Sequence, residues 1–338
     1  VNDRYSRQEL FTHIGPEGQR KLADKHVLLI GAGALGTGSA EALVRAGVGN
    51  ITIVDRDYVE WSNLQRQVLY TEEDAEERMP KAIAAKNRLQ LVNSKVKIDG
   101  IVADVTVQEI ESLVKGVNLI IDATDNFETR LLINDISQKQ RIPWIYGACV
   151  GSYGLTYTII PDTTPCLHCM LESVPLGGAT CDTAGIIAPA VQMVVSYQTA
   201  EALKILVEDW NALRSTLISF DLWKNQYTAI NLDRIRKQSC LSCGSSPTYP
   251  FLDYSNQTKT AVLCGRDTVQ IRPAQRIERN LQELERLLSS HGTIKRNAFL
   301  LSFTAASHRM VLFADGRVLV HGTKDITEAK RLYHKYLG

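Results

Sequence analysis

What this 338-residue chain lacks narrows what it can be. Net charge is nearly absent, since 38 Lys and Arg against 37 Asp and Glu leave a formal +1. Without a basic field, or basic runs interleaved with aromatics, there is no electrostatic footprint for nucleic acid or a membrane surface. Any acidic ligand must then be held by local groups. No apolar run approaches the ~18 residues of a membrane span. Val1 to Gly15 is polar and charged, with no signal-peptide core. These absences predict a cytoplasmic protein with neither a nucleic-acid nor a membrane partner. Internal repeats and low-complexity tracts are also missing, and an apolar share of 44% with 22% charged residues is ordinary for a globular chain.

What is present has a clear grammar. Val27–Ile30 is an aliphatic run that leads into GAGALG (Gly31–Gly36). An alanine-rich amphipathic stretch follows, Ser39 to Ala46, and then a second strand, Ile51–Val54, closed by Asp55. Strand, glycine turn, helix and strand open a doubly wound sheet. Val96–Ile101, Leu119–Ile121 and Pro143–Tyr146 read as three further strands. Gly154–Ile160 and the alternating Thr216–Leu232 then read as a strand and a hairpin, separated by a helix over Ala190–Val207. Parallel units followed by antiparallel strands predict an α/β fold, Rossmann-like, with a mixed sheet. A turn-rich boundary at Cys240–Tyr249 divides an expected domain 1–248 from a small α+β domain, 249–338. In the latter we expect a strand near Ala261, a helix over Arg276–Leu288, strands around Leu300 and Met310–Val320, and a last helix from Thr327.

The glycine turn has a mechanical purpose. Glycines permit a tight turn, and bare N–H groups at a helix N-terminus can approach phosphate oxygens closely. Asp55, ending the next strand, is placed to accept hydrogen bonds from ribose hydroxyls. Taken alone, Gly31, Gly33, Gly36 and Asp55 point to a dinucleotide, NAD or FAD, and hence to an oxidoreductase. The seven cysteines include Cys166-Leu-His-Cys169 and Cys240-Leu-Ser-Cys243. Two such pairs can converge on one tetrahedral zinc, each supplying two thiolates. A redox reading needs only one pair and leaves the other idle. Four thiolates leave no open position, so the zinc is expected to be structural, with His168 a solvated loop residue between the ligands.

Further motifs are RYSRQ (Arg4–Gln8), VDRDYVEWSNLQRQ (Val54–Gln67), MPKA (Met79–Ala82), DATDN (Asp122–Asn126) and TCDTAG (Thr180–Gly185). Together with GAGALG and both cysteine pairs, in this order, they resemble the ThiF/MoeB/HesA family of adenylating enzymes, bacterial relatives of ubiquitin-activating enzymes. The resemblance covers about Arg4 to Cys243. It implies ATP in place of a dinucleotide, with Asp55 on the ribose, Asn63, Arg66 and Lys81 on the phosphates, and Asp125 as the magnesium-associated carboxylate. It also implies that Arg7 reaches into a partner subunit's site, making the enzyme a homodimer. The implied reaction is nucleotidyl transfer to the C-terminal glycine carboxylate of a small ubiquitin-like sulfur carrier ending in Gly-Gly, MoaD-like or ThiS-like, for molybdopterin or thiamin synthesis. A sulfur donor protein is a further implied partner.

Cys181 stands where relatives carry a cysteine that in some of them links covalently to the carrier; a spare loop thiol is the alternative. Cys149 and Cys264 are expected to be buried or incidental. The segment after Tyr249 extends past the shortest family members. No six-residue anion-cradling loop surrounds Cys264, so a sulfurtransferase is not expected there, and a docking or dimer-supporting role is. A nucleotide-binding scaffold without catalysis remains the third alternative, opposed by the retained cationic set.

Overall fold

The short aliphatic runs form the centre of an eight-stranded sheet. The computed structural model describes residues 3–171, 184–253, 260–262, 267–272, 278–305 and 308–337. In it β1 (His26–Ile30), β2 (Asn50–Asp55), β3 (Lys97–Val102), β4 (Leu119–Asp122) and β5 (Trp144–Val150) are parallel. Antiparallel strands β6 (Tyr153–Ile159), β7 (Thr216–Asp221) and β8 (Gln226–Asn231) extend the sheet, giving the order β3-β2-β1-β4-β5-β6-β7-β8. The mixed sheet expected from the sequence is therefore present. Chain order reverses between β1 and β4, and a crevice at the carboxyl ends of those strands is the ligand position that doubly wound sheets favour.

Helices cover both faces of the central strands, which is why β1 and β4 are hydrophobic runs and not alternating ones. The edge strand β3 is more polar and only partly buried. On one face Leu29, Ile53 and Ile121 pack with Leu43 and Ile205. On the other, Leu28, Ile30 and Ile120 pack with Ile110, Ile133 and Trp144. The outer strand β8 is different, for all six of its residues are exposed.

Apolar periodicity does not mark the helices over Lys81–Val92, Val107–Leu113 and Phe127–Gln140, because their buried positions are few, small or polar, as with Ile110, Ala84 and Asn134. The first of the strands around the mixed junction, β5, runs on to Val150, four residues past its expected end. Contacts divide the chain into a large unit, 1–179 with 185–256, and a small unit built on 257–338. The small unit is an antiparallel sheet of β9 (Thr260–Val262), β10 (Thr268–Ile271), β11 (Thr293–Arg296), β12 (Leu300–Ala305), β13 (His308–Phe313) and β14 (Val318–His321), in the order β11-β12-β13-β14-β10-β9. β10 and β11 were not expected, being only four residues each. The helix expected over Arg276–Leu288 is Leu281–Leu288, started by Asn280, whose side chain accepts the N–H groups of Gln282 and Glu283. Leu284, Leu288 and, from the last helix, Leu332 pack on Val269 and Phe303. Among the described residues no helix is long and apolar enough to cross a membrane.

Because Ile120 and Ile121 are both fully buried but in different cores, Ile120→Ala and Ile121→Ala should each cost about 2–5 kcal/mol. Urea denaturation of the two variants checks this, and a near-neutral effect at either position would contradict a sheet covered on both faces.

Candidate functional site

The glycine turn leaves β1 along a path that only glycine allows at two points. A Cβ on Gly31, whose φ is +102°, would stand 2.3 Å from the Ala123 carbonyl oxygen, and one on Gly36 would stand 2.0 Å from that of Gly31. Gly33 differs. An added Cβ there meets only Gln67 Nε2, at 3.9 Å, so close packing within the protein does not demand a glycine. Gly33 is also the N-cap of the helix Ala34–Ala46, which has no side-chain cap and no acidic residue in its first turn. Free donors at a helix start, with open space over a bare backbone, make an anion site. Among the described residues the Gln67 amide oxygen, in a residue 4% exposed, finds no hydrogen-bond partner. A buried polar atom in that state calls for a ligand or a water.

Asp55 closes the turn from the side. Its carboxylate accepts the N–H of Ala32 at 2.6 Å and that of Asp57 at 2.6 Å. Burial raises its pKa above the ordinary aspartate value; Lys81 opposes that rise, and Asp57 adds to it. Lys81 is 4% exposed, sits at the start of its helix, and places Nζ 3.6 Å from Asp57 Oδ2. Tyr70, which the sequence did not single out, locks the two parts together. Its hydroxyl donates to Ala32 O at 2.6 Å and lies 3.2 Å from Lys81 O, and burial pushes its phenol well up so that it stays a donor.

The remaining expected residues have mixed placements. Asn63 is buried, and its side-chain oxygen accepts the Glu60 N–H at 3.1 Å, shaping the short turn Trp61–Asn63. Arg66, half-buried, donates to Ser62 O at 2.8 Å. Asp125 is exposed just after β4. The helix that follows is capped by Asn126, which accepts the Thr129 N–H at 2.9 Å, so Asp125 is not the cap. Arg56 was also missed. It pairs with Asp104 at 3.2 Å. Burial works against its charge, but Asp104, Asp57, Asp125 and Asp55 outweigh burial and hold the guanidinium above its ordinary value.

Arg7 is exposed and is not gathered with these groups. Its segment is tied to the opposite ends of the helices: Gln8 Nε2 donates to Ala46 O at 2.9 Å, Asn93 Nδ2 to the Tyr5 hydroxyl at 2.8 Å, and Arg4 to Val92 O at 3.0 Å. Cys181 and Cys264 lie outside the described residues; Cys149 is half-buried in β5.

Away from the glycine turn, Cys166, Cys169, Cys240 and Cys243 bring all four sulfurs within 4.8 Å of one another. Cys166 and Cys240 are 3.6 Å apart, and Cys169 and Cys243 3.7 Å. A zinc tetrahedron with ~2.3 Å arms has edges of about 3.8 Å, so the donor set fits that ion. Gly244 lets the second pair turn tightly, since a Cβ there would stand 2.4 Å from Cys240 O and Gln238 O. Hydrogen bonds from Cys166 and Cys243 hold the Cys169 thiol far below its ordinary pKa. Cys166 directly precedes, and Cys169 lies in, a short helix, Leu167–Leu171. One expectation needs correction. His168 is half-buried, with Nδ1 3.2 Å from Ser242 Oγ and its ring against Phe251, because it joins the two knuckles and does not face solvent.

The ThiF family profile matches residues 5–242. Over all of both chains the protein is 55% identical, across 339 residues, to the sulfur carrier protein ThiS adenylyltransferase of Bacillus subtilis strain 168. It is 36% identical to the sulfur carrier protein adenylyltransferase of Thermus thermophilus, over 73% of this chain and 92% of that one. It is 32% identical to the molybdopterin-synthase adenylyltransferase of Salmonella typhimurium, over 71% of this chain and 96% of that one. Among solved structures, that of Escherichia coli MccB with ATP superposes with a TM-score of 0.61 at 22% identity, over 72% of this chain and 75% of that one, a likeness of fold.

Two outcomes test the site. Gly33→Ala should leave the melting temperature within about 2 °C, since the new methyl meets no backbone, while ATP binding measured by calorimetry is lost. Asp55 supplies a pH test. A carboxyl whose pKa is raised by folding contributes stability that is fullest below its unfolded value and is lost as pH rises through its folded value. The melting temperature of ligand-free wild type minus that of Asp55→Asn should therefore fall as pH rises above about 4. A difference that is flat or rises with pH would contradict a raised Asp55.

Proposed function

The chain belongs to the ThiF family, and on that premise we propose that it uses ATP to adenylate the C-terminal glycine carboxylate of a small ubiquitin-like sulfur carrier. The observation that carries this proposal is the open backbone over Gly33 at an uncapped, acid-free helix start, with Asp55 beside it. A ThiS-like carrier is favoured over a MoaD-like one, because a ThiS adenylyltransferase is matched over the whole of both chains.

In this reaction a carboxylate oxygen of the carrier attacks the α-phosphorus, the bond from that phosphorus to the bridging oxygen breaks, and pyrophosphate leaves. No proton need move and no protein nucleophile is required, so the enzyme's task is alignment and charge neutralisation. The free N–H groups from Ala34 onward hold phosphate oxygens, and Asp55 accepts the ribose hydroxyls. Lys81, Arg66 and Asn63 serve the triphosphate, and Gln67 turns its amide toward the same space. Asp125 would hold magnesium, which when bound offsets the charge of the departing pyrophosphate. A zinc on the four cysteines would be structural, since no coordination position is left open. Cys181 has no part in the adenylation step itself. A need for ATP and for reduced thiols supports a cytoplasmic location.

The anchoring of Arg7 supports a homodimer. Its segment is fixed to the carboxyl end of the helix Ala34–Ala46, and the glycine turn is at the amino end. Thirteen residues at about 1.5 Å each separate the two ends by about 20 Å, beyond the reach of one arginine side chain. A charge-stabilising role for Arg7 therefore requires a second copy of the chain.

ATP–pyrophosphate exchange should appear with a ThiS-like carrier ending in Gly-Gly and vanish when its last glycine is deleted; no exchange with either a ThiS-like or a MoaD-like carrier would overturn the proposal. Arg7→Ala and Asp125→Ala should each be inactive alone. Unfolded and refolded together they should recover about a quarter of wild-type exchange, because half the dimers would then hold one complete site. No recovery would contradict an arginine acting across subunits.

A further inference from the structure

The loop 123–126, which carries Asp125, is gripped by a buried ion pair that plays no part in the account above. Asp122, the last residue of β4, is fully buried. Its Oδ1 accepts the Thr124 N–H at 2.9 Å and the Thr124 hydroxyl at 2.7 Å, and its Oδ2 accepts Arg130 Nε at 2.9 Å. Arg130 Nη2 then donates to Thr124 O at 2.7 Å and to Gly147 O at 3.0 Å. Thr124 is thus held at its nitrogen, hydroxyl and carbonyl by two side chains. Asp125 follows it and precedes the helix cap Asn126, so its backbone is fixed on both sides.

Neither helix energetics nor solubility explains Arg130. It lies in the first turns of the helix Phe127–Gln140, where the helix dipole disfavours a cation. It is 6% exposed, and burying a charge costs stability that an apolar residue would not. Its guanidinium lies 5.0 Å from the Tyr146 ring centroid and 5.4 Å from that of Phe127. Only a planar fork can lie against these rings and still serve one carboxylate and two carbonyls. Gln198 reinforces the arrangement by donating to Asp122 O at 2.9 Å.

We propose that Arg130 is a positioning residue, which through Asp122 and Thr124 fixes the loop so that the Asp125 carboxylate stands ready for magnesium–ATP. The proposal rests on the adenylation reading only for the identity of that ligand. By joining Thr124 O to Gly147 O, the same guanidinium also sets the loop after β4 against β5.

The test is a cycle of Arg130→Lys, Asp125→Ala and the double variant, followed by calorimetric affinity for magnesium–ATP and by carrier-dependent exchange. Arg130→Lys should exchange the Thr124 and Asp125 amide hydrogens faster in the ligand-free protein, and should lower the exchange rate by about 10- to 100-fold. In the Asp125→Ala background it should weaken magnesium–ATP affinity by less than about a further twofold, the mark of two residues acting as one. Full additivity, or an unchanged loop with unchanged affinity, would overturn the proposal. Should Arg130→Lys not fold, Thr124→Val, which removes the hydroxyl's bonds to Asp122 and, at 3.5 Å, to Asn126 O, must show the same non-additivity with Asp125→Ala. A wild type that binds magnesium–ATP but exchanges with no carrier would overturn the carrier reading, while the affinity cycle still decides the role of Arg130.

Discussion

The site rests on a close approach of backbone to backbone at the sheet's switch point. Gly31 lies so near the Ala123 carbonyl, and Gly36 so near that of Gly31, that a single methyl at either place would overlap oxygen. The end of β1, the loop after β4 and the first turn of a helix are therefore one packed unit. The Ala123 N–H donates to Ile30 O at 2.9 Å, which ties the β4 loop to the strand that leads into the turn. Because these three meet, free amide donors and the Asp125 loop share one edge of the sheet. The glycines at 31 and 36 permit the fold, and the one at 33 leaves room for a ligand.

Around that unit the charges are arranged locally, as a nearly neutral chain requires. Asp55, Asp57, Asp104 and Asp125 stand at the carboxyl edge of the parallel strands, with Arg56 and Lys81 among them. The ion pair of Asp122 with Arg130 lies beneath, almost wholly withdrawn from solvent. A triphosphate entering such a site meets fixed donors at the helix start and cations already oriented by carboxylates. Little has to reorganise when negative charge builds, which is what makes preorganised electrostatics effective. Burial, with a smaller contribution from Asp57, sets a cost against this arrangement by raising the pKa of Asp55.

Much of this was legible in the sequence, because hydrophobic runs and glycine turns report backbone geometry directly. β1, the glycine turn, β2 with its acid, the mixed sheet and both cysteine pairs follow from a few residues each. Helices such as Phe127–Gln140 were less legible, since much of that helix is buried through polar side chains, including Asn134, Asp135 and Ser137. Gln67, Tyr70, Arg56 and Arg130 were missed for a related reason: a single polar residue carries no periodic signal. For Arg130 the available clue was a cation close behind a helix cap, where the dipole opposes it. Gln67 sat inside the NLQRQ run already in view. His168 was misjudged because its partner Ser242 is distant in sequence and near only in space.

The paired cysteines have a consequence in polymer terms. Cys166 and Cys240 are 74 positions apart, and the chain between them includes the long helix Ala188–Leu206 and the outer hairpin of β7 and β8. An ion bridging the two knuckles would act as a cross-link on the unfolded chain, and a closure of that size removes about 4 kcal/mol of disorder in the chain-entropy picture developed for disulfides. That stretch includes the strand with no cover on either face, the part of the sheet least able to hold itself by packing. Its persistence would then depend on metal supply and on thiols staying reduced, so that starvation for the ion or oxidative stress would loosen the outer hairpin while the nucleotide half stayed intact.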